Sequence, residues 1–278
     1  MNPEAKRHLL YLIDFLNKCQ SLELSIIPWA SPVLAFGDVS KSKVATLGIN
    51  PSNREFVTID NVELKGESRR FHTLSSLGLQ KWSDADEVQL QLIFDSYNEY
   101  FSRNPYDGWF KKLDYLMSGT SVSYYFPSHE ACHLDLIPFA TAEKWSNLNP
   151  LQQSTLLENF EDTLGSIMSN SSIEVLLLNG QTVVNNFEKV SNVKFEKKLQ
   201  SDWKLRRKDG EGVAGFSYEG IVSSIGRVEL KRNIKVLGYN HNVQSSFGVS
   251  SEVLASIREW LSKNININSY ETRRHSIV

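Results

Sequence analysis

The chain has 278 residues, 41% of them hydrophobic and 11% aromatic, so it can bury a full core as one large domain without needing a second. A formal charge of -2 and a pI of about 6.3 exclude a global positive field, so any nucleic-acid surface has to be a local patch. Two cysteines, Cys19 and Cys132, are too few for a disulfide framework or a cysteine zinc site. No apolar run approaches the roughly 18 residues that a membrane span needs.

The first residues carry Glu4, Lys6 and Arg7, followed by Leu9, Leu10, Ile13 and Leu16 at helical spacing. This predicts an amphipathic helix over 3–20 rather than a signal peptide, and with it a soluble protein of a reducing, cytoplasmic compartment. Pro28 to Gly37 is a loop leading into the first strand. Lys43 to Ser52, K-V-A-T-L-G-I-N-P-S, is an apolar run of strand length stopped abruptly by Gly48 and Asn50-Pro51. It reads as a buried strand that delivers a polar turn to one sheet edge, the place where ligands collect in open α/β sheets. The polar stretch Asn53 to Arg70 is long enough for a functional loop, and Leu74, Leu77 and Leu79 suggest a helix starting near Phe71. Residues 84–118 read as helical with a break at Asn104-Pro105.

Ala131 to Ala140 alternates like a strand until Pro138, and Leu148 to Met168 is helical. Ile173 to Asn179 is a second buried strand, with a helix through Val183, Val184 and Phe187 after Gly180. Residues 190–232, rich in glycine, suggest short hairpins. Ile234 to Tyr239 is the last strand, Glu252 to Leu261 the last helix, and the tail from 264 is expected to be flexible. Four strands alternating with helices predict a single α/β domain over 1–278: a three-layer α/β/α fold with a four-stranded, mainly parallel central sheet, preceded by a helix and lead-in over 1–40.

His129-Glu130-Ala131-Cys132-His133 matches H-E-x-x-H, the helix-borne zinc motif, and makes a zinc metallohydrolase one alternative. The period-two pattern between Pro127 and Pro138 argues against it, because on a strand the two histidines do not share the i, i+4 geometry. G-x-x-x-x-G-K-[ST] is absent, and no cofactor is expected. Trp203-Lys204-Leu205-Arg206-Arg207-Lys208 is a basic run with an aromatic, able to contact phosphates through Arg206, Arg207 and Lys208 or to form a solvated hairpin.

G-I-N-P-S at 48–52 resembles the first motif of the uracil-DNA glycosylase superfamily, especially the G-I-N-P-G form of its mismatch-specific and thymine-DNA branches. R-R-F-H-T-L-S-S-L-G-L at 69–79 resembles the helix that follows that motif, and H-L-D-L-I-P-F at 133–139 resembles the H-N-x-C-P-L strand of the single-strand-selective branch. I-E-V-L-L-L-N-G at 173–180 fits the third strand, and V-L-G-Y-N-H-N at 236–242 takes the place of the last motif. The resemblance spans roughly Val44 to Leu261. It implies a monomeric DNA glycosylase that flips a nucleotide out of DNA and hydrolyses its N-glycosidic bond without a metal. Asn50 would then orient the attacking water, and His241, or Asn240 if the register differs by one, would donate to the base O2. Phe71 or Phe56 would stack on the base, Gly48 and Asn179 would complete its pocket, and Val243 and Gln244 would fill the hole left in the duplex.

Two departures from the family pattern bear on the substrate. Asp135 stands where the family has an asparagine that reads uracil; a carboxyl group accepts from an exocyclic amine and, when protonated, donates to an unprotonated ring nitrogen, the edge of cytosine. Ser52 stands where the strict uracil enzymes have a bulky tyrosine, leaving room for a group at C5. Together they imply a 5-hydroxymethylated or glucosylated cytosine of phage DNA as the target, and antiphage defence as the role. The same motifs are also compatible with excision of uracil or a damaged base in repair, or with a non-catalytic DNA-binding module.

Overall fold

A computed structural model describes residues 3–18, 23–207, 210–244 and 248–265. The first helix, α1 (Pro3–Lys18), begins with proline, which needs no hydrogen-bond partner for the N–H it lacks, and buries Leu9, Leu12, Ile13 and Leu16 on one stripe. Strand β1 (Val44–Gly48) is buried along its whole length. Helices α2 (Glu87–Asn98) and α4 (Pro150–Ser169) start in capping boxes, Asp86 with Gln89 and Asn149 with Gln152, which satisfy otherwise orphaned backbone donors. Between them lie α3 (Asp107–Met117) and β2 (Ala131–Asp135). The chain continues through β3 (Val175–Asn179), α5 (Gln181–Ser191), β4 (Glu196–Leu205), β5 (Val213–Ile225), β6 (Val228–Tyr239) and α6 (Ser251–Asn264).

The six strands form one mixed sheet in the order β2-β1-β3-β6-β5-β4. The first four run parallel, with Gly48 opposite Asp135, Leu47 opposite Leu178, and Asn179 opposite Tyr239. Strands β5 and β4 then extend the sheet antiparallel, Ser217 facing Tyr239 and Gln200 facing Gly215. Four carboxyl ends therefore share one edge, and the turn between β4 and β5 projects from that same edge. Helix α5 packs against β3, β5 and β6, where Gly238 leaves room for Val184, and α4 lies across β5 and β6. Helix α6 packs against α3, and its Trp260 meets Trp203 of β4 edge to face.

The fold differs from the sequence expectation in three places. The sheet has six strands rather than four, because 196–205 and 213–225 form long strands instead of short hairpins. Gly215 and Gly220 sit inside β5 and not in turns; a Cβ on Gly215 would come within 2.1 Å of that of Trp203. The last strand consequently begins at Val228, six residues before Ile234. No helix starts at Phe71: the leucines after it pack around a single 3-10 turn, Ser75–Leu77, closed by left-handed Gly78. Cys19, Lys208 and the tail beyond 265 lie outside the described residues. Among those residues no helix is long and apolar enough to cross a membrane.

Gly165 of α4 tests how tightly the helix meets the sheet. Glycine to alanine inside a helix ordinarily stabilises by about 1 kcal/mol, but here the new Cβ would lie 2.5 Å from the Ile225 carbonyl oxygen and 2.9 Å from the Val228 Cβ. Gly165→Ala is expected to destabilise by about 1–3 kcal/mol in urea unfolding; a gain in stability would contradict this contact.

Candidate active site at the carboxyl edge of the sheet

Past Gly48 the chain leaves β1 but stays bonded to the chain that leaves β2, through Leu136 N–H to Gly48 O at 3.2 Å and Ile137 N–H to Ile49 O at 2.9 Å. This double tie fixes Asn50 at the lip. Its side-chain Nδ2 donates to Thr141 Oγ1 at 3.0 Å, Pro51 O at 3.1 Å and Phe139 O at 3.4 Å. Among the described residues its Oδ1 has no partner, so a half-buried carbonyl acceptor faces the groove. That groove, about 650 Å³, is lined by 50–54 and 141–147, including Arg54, Lys144 and Trp145. Ser52 is exposed at its wall, and its hydroxyl caps the 3-10 turn Asn53–Glu55 by accepting from the Arg54 N–H.

Beside Gly48 lies Asp135, its side chain 3% exposed. A Cβ on residue 48 would sit 2.4 Å from Asp135 Oδ1, so the strand position needs glycine for the carboxyl group to occupy this space. Asp135 Oδ1 lies 3.4 Å from His133 Nε2, and the other face of that imidazole continues inward, His133 Nδ1 to Thr46 Oγ1 at 2.7 Å and Thr46 to the Tyr124 hydroxyl. Asp135 Oδ2 is buried without a partner.

A second carboxyl group, Glu55, is buried close by. The Tyr100 hydroxyl donates to its Oε2 at 2.7 Å, and Arg70 Nε stands 3.9 Å away while donating to the Asn104 carbonyl; its Nη1 donates to the Arg54 carbonyl. Burial pushes the Glu55 carboxyl up to about 7; the Tyr100 bond and Arg70 oppose the shift, and the Asp135 charge adds to it. Neither Glu55 nor Arg70 carries a sequence signal, since a charged residue in a polar loop reads as solvated.

Phe71 and Phe56 are both packed in the aromatic core. Phe71 stacks on Tyr100 at 5.1 Å and meets Phe36 edge to face, and Phe56 meets Trp29 and Phe71, so neither ring is presented to the groove. Trp109 and Phe110 of α3 instead cover His133.

At the ends of β3 and β6, Asn179 accepts from the Tyr239 hydroxyl and donates through Nδ2 to Gln244 Oε1 at 2.7 Å. Gln244 Nε2 is buried without a partner. Asn240 and His241 turn the other way. The Asn240 amide accepts from Phe216 N–H and donates to Ala214 O, and His241 Nε2 bonds Trp203 O at 2.6 Å. The antiparallel extension thus captures both residues of the last motif on the side of β6 away from β1. Burial holds the His241 imidazole below its usual range. Val243 is buried and does not protrude as a wedge. Arg206 and Arg207 are exposed in the turn after β4, on the edge that carries Asn50.

The H-E-x-x-H residues are divided between a turn and a strand. His129 has a left-handed backbone, φ 50°, and bonds the Tyr124 carbonyl, while His133 lies inside β2. Among the described residues no three His, Cys, Asp or Glu side chains are grouped to hold a metal ion. Comparison with known proteins finds no family whose model matches the chain and no curated protein that matches it.

Glu55 and the buried His72 bear on stability in opposite senses. Glu55 binds its proton more readily folded, with about 7 against 4.5, so its contribution is full below about pH 4.5 and lost as pH rises through 7. Burial pushes His72 down to about 4 from 6.5, helped by Arg69 and Arg103, so its contribution is full above pH 6.5 and lost as pH falls through 4. Glu55→Gln is expected to leave stability rising more steeply from pH 4.5 to 6.5 than in the wild type, and His72→Gln to leave it falling across the same interval. Urea unfolding across that range reads both, and unchanged slopes would remove the assignment.

Proposed function

We propose that the protein is a DNA glycosylase of the uracil-DNA glycosylase type, acting on a flipped-out pyrimidine with an exocyclic amine, a 5-modified cytosine, and serving in antiphage defence. The observation that carries the reading is the meeting, on one sheet edge, of Asn50 with a free carbonyl oxygen and Asp135 with a buried, unpartnered one. The parallel strand order β2-β1-β3-β6, taken as the centre of a three-layer α/β/α arrangement, agrees with the fold that the motif resemblance implies.

In this reading the Asn50 Oδ1 accepts a hydrogen bond from a water and aims its oxygen at the sugar carbon as the glycosidic bond lengthens. The sugar becomes oxocarbenium-like, the base departs with a growing negative charge on O2, and the water adds as its proton leaves to solvent. His241 and Asn240 have their described bonds on β4 and β5, so we assign the donor to O2 to Gln244, whose Nε2 is unpartnered. Asp135 pairs with the base edge. Arg206, Arg207, Arg54 and Lys144 lie where backbone phosphates would be met, which answers the overall charge of -2 with a local basic rim.

The test is base release, read by alkaline strand cleavage, from DNA carrying uracil, cytosine, 5-hydroxymethylcytosine or glucosylated 5-hydroxymethylcytosine. The expected result is release of a modified cytosine, reduced about 10²–10³-fold by Asn50→Ala and to a similar degree by Gln244→Ala. Release of uracil alone would replace defence with repair, and DNA binding without release would leave a binding module.

A further inference from the structure

Resting on the glycosylase reading, we infer that His133 is a positioning residue, locked as the Nε2–H tautomer by Thr46 and Tyr124, and that its N–H holds Asp135 Oδ1 so that Oδ2 is the oxygen a flipped base meets. The imidazole is 2% exposed and enclosed by the rings of Phe36, Trp109 and Phe110 at 5.2, 4.9 and 5.4 Å. Inside that enclosure each ring nitrogen faces one polar side-chain atom among the described residues. Nδ1 faces the Thr46 hydroxyl at 2.7 Å, and Nε2 faces Asp135 Oδ1 at 3.4 Å. A ring turned over by half a rotation would set carbon atoms against both, leaving the buried Thr46 hydroxyl without this partner.

The tautomer follows from a count of hydrogens. The Tyr124 hydroxyl is fully buried and bonds Thr46 Oγ1 alone among the described residues. Burial holds the phenol well above its usual range, so it keeps its hydrogen and donates it to Thr46. The Thr46 hydroxyl has one hydrogen of its own, and its remaining partner is His133 Nδ1, which must accept it. Were Nδ1 to carry a proton, the Tyr124 or the Thr46 hydrogen would be buried without an acceptor. The imidazole proton therefore stands on Nε2, towards Asp135. At 3.4 Å this contact is longer than a hydrogen bond to a carboxylate, about 2.7–2.9 Å, and such contacts in unliganded sites tighten once the ligand is seated. Asp135 Oδ2, buried with no partner, is the free oxygen of a carboxyl group whose other oxygen faces the imidazole. His133 acts here through Asp135 and not on the base.

Two measurements test the lock. The first is nitrogen-15 NMR of the whole protein with labelled histidine, the His133 signals being those lost in His133→Gln. In the wild type Nε2 is expected to carry the hydrogen and Nδ1 to show the shift of a hydrogen-bonded acceptor. Thr46→Val is expected to move the Nδ1 signal towards that of an unbonded nitrogen, and Thr46→Ser, which keeps the hydroxyl, to return it. A proton on Nδ1 in the wild type, or an Nδ1 signal indifferent to Thr46→Val, overturns the lock whether or not the protein releases a base. The wild-type spectrum decides this even where a variant fails to fold. The second is kcat/KM for the base that the wild type releases. His133→Phe or His133→Leu, which remove the N–H, are expected to lose at least about tenfold, and His133→Gln, whose amide supplies an N–H in the same direction, to recover most of it. Equal losses in all three, or no loss in any, overturn the role of the N–H. A wild type that shows the expected spectrum but releases no base overturns the glycosylase reading, and the part of Asp135 Oδ2 with it.

Discussion

The site depends on the parallel pairing of β1 between β2 and β3, and in particular on Gly48 standing opposite Asp135. A parallel register fixes which side chains share a face, because residues two apart point the same way. Thr46 and Gly48 of β1 therefore face with His133 and Asp135 of β2, and the glycine gives up its own side chain so that a carboxyl group fits between the strands. A buried carboxylate costs several kcal/mol to desolvate. Arg70, at 3.9 Å from Glu55, returns about 4 kcal/mol at an effective dielectric constant of 20. That offsets only part of the cost of burying Glu55, whose carboxyl is pushed up to about 7.

The strands of the parallel half were legible because β1 and β3 are apolar throughout, a pattern that burial on both faces produces. Helix α4, expected over Leu148 to Met168, spans Pro150–Ser169. The antiparallel half was not, since β4 is largely exposed and β5 carries glycines that read as turns. For the candidate site, the apolar run before Asn50 placed that residue at a strand end, whereas Asp135 was singled out only by the likeness of 133–139 to a family motif. Glu55, Arg70 and Tyr100 could not be found, because their burial comes from three loops closing over one another, and no periodicity records that.

The antiparallel half also explains why the last motif parts company with the first. Once β5 pairs with β6 up to Ser217 and Tyr239, the next residues meet the unsatisfied backbone groups of β5 and β4. Asn240 completes that ladder with two side-chain bonds, and His241 bonds the Trp203 carbonyl. A buried backbone group left without a partner costs about 1–3 kcal/mol, so these side chains are held to structural work by the strands beside them. The same extension carries Arg206 and Arg207 to the carboxyl edge, which a four-stranded sheet ending at β6 would leave without them.

The orientation of Asn50 follows from its surroundings. Three acceptors surround the inner end of the side chain: the carbonyl oxygens of Pro51 and Phe139, and the Thr141 hydroxyl, whose own hydrogen goes to the Glu143 carbonyl. An amide NH2 satisfies them, whereas the flipped amide would press an oxygen against two carbonyls and a hydroxyl that has no hydrogen to give. The carbonyl oxygen of Asn50 is therefore forced outward into the groove. An aspartate at this position would set a charged oxygen against the same acceptors, unable to donate unless protonated. The lip is built for an amide, and the acceptor it presents is fixed by the fold before any ligand arrives.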